Sequence, residues 1–462
     1  MNRRRGWTLA GVPVVMILGP GCADAPAQNA GGDEPPLVMS AALSHTAYSR
    51  TLPDPLTLKI DLAAAGLPRS RQRPPLNLAL VIDRSGSMAH DGKFDYAMQA
   101  AQLVVENLSS CDIVSVIAFN QETAVLFPAG PAVNPEFLNH RLDEITPQGW
   151  TNLSAGLLEA FAQINRRATA TQIKRVIVLT DGQPNQGITD PRELRKLVSS
   201  ARRRGIGVST MGCGDDFDET VLIALADAGR GRYTDIRDAD DIPEAMAAEL
   251  HGLLGVVAQN VRVEVTAPDA LKITAVHGRR LARPTDTFVF DLGDVREGER
   301  TVLLARLAPH DILIGEVAEI ECTVSFDRTD FGVRQYQVAR LASIALDDTD
   351  AELVRRSANR GVALYADITF ALELAENAVL NRDGRGSWLA AELFVQHYET
   401  ARSYALQNRD QQLLNQAFML KHFMTQLAAA DEAGLLHDDD RTRRSLARQV
   451  AYRRYMRRHH GQ

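Results

Sequence analysis

Leu76-Asn77-Leu78-Ala79-Leu80-Val81-Ile82-Asp83-Arg84-Ser85-Gly86-Ser87 is an apolar run that stops abruptly in one carboxylate and two hydroxyls at alternate positions. The run is short and branched, as a buried strand is, and the small polar residues after it suit a tight turn. A second run of the same kind, Arg175-Val176-Ile177-Val178-Leu179-Thr180, ends in Asp181-Gly182. Between them, Thr151 sits in Gln148-Gly149-Trp150-Thr151-Asn152-Leu153. Taken singly, Asp-x-Ser-x-Ser and Thr-Asp-Gly are ordinary caps and turns. Their order, with two of the three placed directly after Val/Ile/Leu-rich strands, is what points to a site. Asp83, Ser85 and Ser87 share one turn, so their oxygens can converge, and Thr151 and Asp181 complete an all-oxygen set. Mg²⁺ takes near-octahedral oxygen coordination and retains several waters, so a few protein oxygens suffice to hold it; Mn²⁺ or Ca²⁺ are the alternatives. With only two carboxylates in the set, a bound cation remains electrophilic and has a position open to a Glu or Asp of another protein.

These residues resemble the metal-ion-dependent adhesion site of von Willebrand factor type A domains. The resemblance runs over residues 76–254. Gly92-Lys93-Phe94-Asp95-Tyr96-Ala97 resembles the first helix of bacterial members, and Cys111 to Phe119 reads as the second strand. A helix runs on from Ala155 to Ile164, and further strands follow at Ile206–Gly212 and Gly231–Ile236. This alternation of strand and helix implies an α/β fold, a doubly wound, mostly parallel, Rossmann-like sheet covered on both faces. The resemblance implies that Asp83, Ser85 and Ser87 bind the ion, that Thr151 joins directly or through water, and that Asp181 acts mostly through water. One departure is Trp150, where relatives frequently have a second Gly. An indole there narrows the mouth of the site or touches a partner, and Gln183 and Asn185 on the neighbouring loop are further partner-contact candidates.

An enzyme is the competing class. Phosphatases with an Asp nucleophile also place it after a first strand, but they need a second Asp two residues on, where this chain has Ser85. The motif region has no Ser–His or Cys–His pairing, and no Gly-x-x-x-x-Gly-Lys loop follows any strand. The expectation is therefore a binding module without catalytic residues. Net charge −7 and a pI near 5.9 give no reason to expect nucleic acid as a partner. A structural subunit with a static metal site is the other non-enzymatic possibility.

The 462 residues leave room for two to four domains. Asn2-Arg3-Arg4-Arg5, the apolar stretch Trp7 to Leu18 and the small residues after it have a signal-peptide layout. Gly21-Cys22 resembles the cleavage site of bacterial lipoproteins, which implies lipidation of Cys22 and a membrane anchor facing the periplasm from the outer membrane. Cleavage after Ala25-Pro26-Ala27 is the rival outcome and yields a secreted soluble protein. Residues 1–22 are thus leader and lipobox, and 23–36, rich in Ala, Gly and Pro, a flexible tether. Leu56–Leu62, Val261–Val265, Phe288–Leu292 and Val317–Val324 alternate apolar and polar residues, which predicts an antiparallel β-sandwich in which 37–75 pairs with 255–345 across the α/β unit. From 346 to 462 the pattern is helical: Leu364, Ile368, Leu372, Ala375 and Val379 form one stripe, with further helices near Trp388, over Leu413–Leu427 and after Asp440. Cys111, Cys213 and Cys322 read as small packing residues, not as a disulfide pair or thiolate ligands.

Overall fold

The computed structural model describes residues 36–49, 56–64, 73–132, 145–279, 281–310, 317–328, 334–346, 351–381 and 397–432. The expected leader with Cys22, the expected tether up to residue 35, the helix expected near Trp388 and the one expected after Asp440 lie outside them. Strands β1 (Leu37–Leu43), β2 (Ala47–Ser49) and β3 (Leu56–Ala64) come first. The α/β unit follows: β4 (Leu76–Asp83), α1 (Lys93–Asn107), β5 (Ile113–Phe119), β6 (Thr123–Pro131), α2 (Leu153–Arg166), β7 (Ile173–Thr180), α3 (Pro191–Arg203), β8 (Ile206–Cys213), α4 (Glu219–Gly229), β9 (Arg230–Ile236) and α5 (Ile242–Leu254). Then come β10 (Val256–Thr266), β11 (Leu271–Val276), β12 (Thr287–Arg296), β13 (Arg300–Pro309), β14 (Val317–Arg328) and β15 (Arg334–Leu346). The chain continues with α6 (Ala351–Arg356), α7 (Arg360–Asn381), α8 (397–408) and α9 (Gln411–Glu432).

The α/β unit is built on a six-stranded sheet of order β6-β5-β4-β7-β8-β9, parallel throughout except for the edge strand β6. Every residue of β4 is buried, because helices cover both faces. Successive side chains of a strand point to opposite faces. Leu76, Leu78, Leu80 and Ile82 therefore pack with α1 and α5, against Phe94, Val104, Met246 and Leu250. Ala79 and Val81 pack on the other side with Leu157, Phe161, Val198 and Leu225 of α2, α3 and α4.

The remaining strands form two sheets, β1-β3-β13-β11 and β12-β10-β14-β15-β2, that share one apolar core. Residues from both sides of the α/β unit meet in it: Ile60 of β3 is opposite Leu303 of β13. The alternation read from the sequence appears as buried Leu56, Leu58, Ile60 and Leu62 on β3 and buried Val261, Val263 and Val265 on β10. One pairing departs from the antiparallel expectation. Between β1 and β3 the chain crosses to the other sheet, and the three-residue β2 runs parallel to β15, with Ala47 opposite Ile344. Helices α7 to α9 pack against the outer side of β13 around Leu304, Leu364, Ile368, Leu372, Leu413, Leu420 and Phe423. Glu373 of α7 lies 2.7 Å from His277 beyond β11. Cys213 and Cys322 are buried, but Cys111 is exposed, contrary to its reading as a packing residue. The strand starts only at Ile113, so Cys111 stays in the preceding turn, 3.0 Å from the Ser109 hydroxyl.

A buried polar junction joins the α/β unit to the sandwich. Arg175 of β7, 2% exposed, donates to Asp294 Oδ2 of β12 at 2.6 Å and to the carbonyl of Arg230 at 3.0 Å. Glu249 of α5 accepts from Ser209 Oγ at 2.6 Å and from Arg296 at 3.0 Å. Burial works against the Glu249 carboxylate, but the nearby charges of Arg296 and Arg175 and the hydrogen bonds hold it below the usual range. Removing one member of such a pair strands the other in a medium that cannot solvate it. Arg175→Ala is therefore expected to lower stability by about 3–5 kcal/mol, measured as a shift in the urea midpoint with the far-UV spectrum unchanged.

Candidate metal centre

Because β4 and β7 are neighbours in parallel register, with Ile82 opposite Leu179, the residues that follow them emerge side by side. Open α/β sheets place their sites at these carboxyl ends. Asp83 ends β4, and its Oδ1 accepts from the backbone N–H of Ser85 at 2.8 Å, which closes the turn. Its Oδ2 accepts from Thr180 Oγ1 at 2.5 Å. Ser85 is extended and leads into a single 3-10 turn, Gly86–Ala89, which returns Ser87 so that the two hydroxyls lie 3.2 Å apart. Ser87 Oγ donates to Asp181 Oδ1 at 2.6 Å, while Asp181 Oδ2 accepts from Lys93 Nζ at 2.9 Å.

Thr151 arrives on a separate loop that is stitched onto this turn. Gly86 N–H donates to the carbonyl of Gly149 at 3.1 Å, and Gln148 N–H to that of Arg84 at 2.8 Å. Gly149 has φ +84, and a Cβ there would fall 1.9 Å from Oε1 of Gln121, the atom that accepts from Trp150 N–H. Only glycine fits such a position. Thr151 N–H donates to Asn185 Oδ1 at 2.8 Å, and its carbonyl accepts from the N–H groups of Asn185 and Gln186. Its hydroxyl lies against Gly182, where a Cβ would meet Thr151 Oγ1 at 3.3 Å and Ser87 Oγ at 3.8 Å. Asn152, the next residue, caps α2 by accepting from Ala155 N–H at 3.1 Å.

The structure thus gathers Asp83, Ser85, Ser87, Thr151 and Asp181 at one point. Trp150, 60% exposed, precedes Thr151 in the chain, and Gln183, two residues after Asp181, is exposed as well. Asn185 is also at the surface, but its side-chain oxygen is engaged by Thr151, so it positions a candidate ligand as well as facing solvent. Three more residues of the site carry no mark in the sequence: Thr180, Lys93 and Gln121. Lys93 is 88 residues from its partner Asp181, and nothing local to Gly92-Lys93 announces the pairing.

Electrostatics favours a cation here. Asp83 is fully buried, and burial pushes its carboxyl up to about 6, although the bonds from Thr180 and Ser85 pull the other way. Burial also works against the Lys93 ammonium, but its hydrogen bond and charge contact with Asp181 raise it above its ordinary value. Lys93 thereby neutralises one of the two carboxylates and leaves the other uncompensated. Among the described residues no group of three or more His, Cys, Asp or Glu could hold a metal, so a centre here depends on hydroxyl oxygens. Cys213 ends β8 close by, but burial pushes its thiol up to about 11 and keeps it neutral. The donor set fits a small hard cation, with Asp83, Ser85 and Ser87 as the residues that would hold it.

Residues 77–248 match the family model of the von Willebrand factor type A domain. The α/β unit is such a domain. The chain is 28% identical to the protein YfbK of Escherichia coli K12 over 209 residues, 45% of this chain and 36% of that protein. It is 27% identical to inter-alpha-trypsin inhibitor heavy chain H6 of Homo sapiens over 42% of this chain and 16% of that protein. The matches thus span well under half the length of these relatives. Among solved structures, the fold resembles a von Willebrand factor type A protein from Catenulispora acidiphila, with a TM-score of 0.60 at 17% identity over 82% of this chain and 89% of that one. It also resembles the ArnB paralog VWA2 of Sulfolobus acidocaldarius, with a TM-score of 0.56 at 16% identity over 85% and 98%. Both likenesses reach past the type A domain to the flanking elements.

The raised Asp83 carboxyl makes the stability of the metal-free type A domain depend on pH. Between pH 4 and 6 the folded state holds this proton and the unfolded state does not, so stability falls as pH rises through that window. The full penalty, about 2–3 kcal/mol, is present above it. Asp83→Asn should therefore stabilise metal-free protein at pH 7 by up to about that amount and change little near pH 4. Thermal unfolding in EDTA at the two pH values checks this.

Proposed function

We propose that this chain is a divalent-cation-dependent protein-binding module of the bacterial cell envelope, in which the ion held at Asp83, Ser85 and Ser87 captures a Glu or Asp side chain of a protein partner. The observation that carries the reading is the convergence of five oxygen-bearing side chains, one of them the uncompensated buried carboxylate of Asp83. A bound Mg²⁺, or Mn²⁺ or Ca²⁺ in its place, supplies Lewis acidity toward the incoming carboxylate. Asp83 contributes the charge that holds the ion. Ser85 and Ser87 contribute neutral oxygens that leave it electron-poor, and Asn185 holds the Thr151 loop over the site. Asp181, already shared between Ser87 and Lys93, acts mostly through water. Trp150 and Gln183 form a rim that shields the new contact from solvent, and lower local dielectric strengthens it.

Burial of Asp83 and Asp181 also supports a second reading, a static metal site that holds an envelope assembly together. Reversible, Mg²⁺-dependent capture of a partner distinguishes the two. Pull-down from envelope extract with the full chain is expected to recover a partner with Mg²⁺ and to lose it with EDTA. Recovery that survives both EDTA and Asp83→Ala would refute carboxylate capture.

Binding of the ion alone has its own signature. Calorimetric titration with MgCl₂ should show binding that Asp83→Ala abolishes and that Ser85→Ala or Ser87→Ala weakens less. Because protonation of Asp83 competes with the cation, affinity should rise as pH rises through about 6.

We further propose that the mature chain is a lipoprotein anchored through Cys22, on the strength of Gly21-Cys22 after the charged and apolar leader. Membrane fractionation should retain the wild-type protein and release Cys22→Ser. Wild-type protein found wholly in the soluble fraction would favour cleavage after Ala27.

A further inference from the structure

We propose that the cleft where the type A domain, the sandwich and the C-terminal helices meet binds a small organic anion, an oxyanion head on an apolar body. The cleft has a volume of about 810 Å³, within the roughly 300–1,000 Å³ typical of small-molecule sites. It is distinct from the metal centre and does not depend on the reading given to it.

Two of the cationic side chains in this cleft have no described partner. Arg296 is taken up by Glu249, and Glu299 accepts from the backbone N–H of Arg296 at 3.0 Å. Glu297, which also lines the cleft, is engaged as well. Arg232 of β9 and Arg300 at the start of β13 line the cleft too, and neither guanidinium has a hydrogen bond or ion pair with a described residue. The Nε of Arg232 is shut off from solvent without a partner. That nitrogen is closed to a ligand as well, so an anion would pair with the terminal nitrogens of Arg232 and with Arg300, whose forks match a carboxylate or phosphate.

A third polar group of the cleft is incompletely paired. Gln416 of α9 is 7% exposed and lines the cleft, and its amide nitrogen lies 3.0 Å from the Tyr365 hydroxyl while Oε1 has no partner. With the amide turned over, Tyr365 donates to Oε1 and the NH₂ group is the one left unpaired. In either orientation one buried polar atom requires a partner. The turned-over form adds a third donor beside the two arginines. The same helix, which also lines the cleft with Gln411, Gln412 and Asn415, brings apolar surface to it through Met419 and Phe418, the latter 48% exposed for so large a ring. Two cationic donors, a buried amide and an aromatic wall describe an amphiphilic anion. Because Arg232, Arg300 and Gln416 come from the three parts of the chain, such a ligand would also tie them together and raise the unfolding temperature.

The test uses the full chain, titrated calorimetrically with 3-phenylpropionate and with phenyl phosphate, and with 3-phenylpropanol as the uncharged control. The expected result is saturable binding of at least one anion but not of the alcohol, and the preferred anion identifies the head group. Arg232→Gln and Arg300→Gln should each weaken that binding by about tenfold or more, and Gln416→Leu should weaken it too. If Gln416→Leu does not fold, the two arginine variants, whose guanidiniums carry no described hydrogen bond or ion pair, decide the matter. Absence of saturable binding by either anion, equal binding of the alcohol, or unchanged affinity in the double arginine variant would overturn the proposal.

Discussion

The Asp83 carboxylate is held at the end of a strand that is sealed on both faces, and much of the site follows from that placement. β4 is stable where it is because every one of its residues is removed from water. The same sealing makes a negative charge at its last residue expensive. The backbone N–H of Ser85 and the Thr180 hydroxyl offset part of the cost, but neither brings a full charge, and the carboxyl is left near 6. The Lys93 ammonium goes to Asp181 instead. A cation at this point is therefore the natural complement of the fold, and the hydroxyls of Ser85 and Ser87 supply oxygens without adding charge of their own.

The strand that brings Asp181 to the site also carries the junction with the sandwich. Arg175 and Asp181 are six residues apart, about 20 Å along an extended chain, so β7 runs from the buried ion pair with Asp294 to the candidate metal centre. Helix α5 closes the type A domain in a similar way. Its Glu249 is tied to Ser209 of β8 and Arg296 of β12, and Gly255 is the single residue between α5 and β10. The two units are thus joined by buried charges that need one another. An arrangement of this kind specifies orientation strongly, because any other docking would leave Arg175 or Glu249 unpaired in the interior.

Legibility differed from element to element for physical reasons. β4 and β7 could be read because a strand covered on both faces must be apolar at every position, and β3 and β10 because a half-covered strand alternates. β2 could not, since three residues carry no period and its partner β15 lies nearly 300 residues away. The exposure of Cys111 was hidden by a boundary: two residues decide between a strand interior and a turn, and residue type does not record where the first ladder bond forms. The surface place of Trp150 and Gln183 matched their loop character. The link from Asn185 to Thr151 was invisible, because an Asn on a polar loop looks the same whether its amide faces water or a backbone N–H.

What the sequence determined by itself was local chemistry. Asp83, Ser85 and Ser87 belong to one turn, and their spacing lets them converge wherever that turn is placed. The runs that precede Asp83 and Asp181 declare two buried strands, and two buried strands among helices declare an α/β sheet. Tertiary structure decided which of these ends lie side by side. The parallel register of β4 and β7, and the loop carried over them by Gly149 and Gln121, set which oxygens share a point. It also placed Lys93 against Asp181, Thr180 against Asp83, and Arg232, Arg300 and Gln416 around one cleft. Such contacts join residues far apart in the chain, and they depend on packing summed over the whole core, which no short stretch of sequence contains.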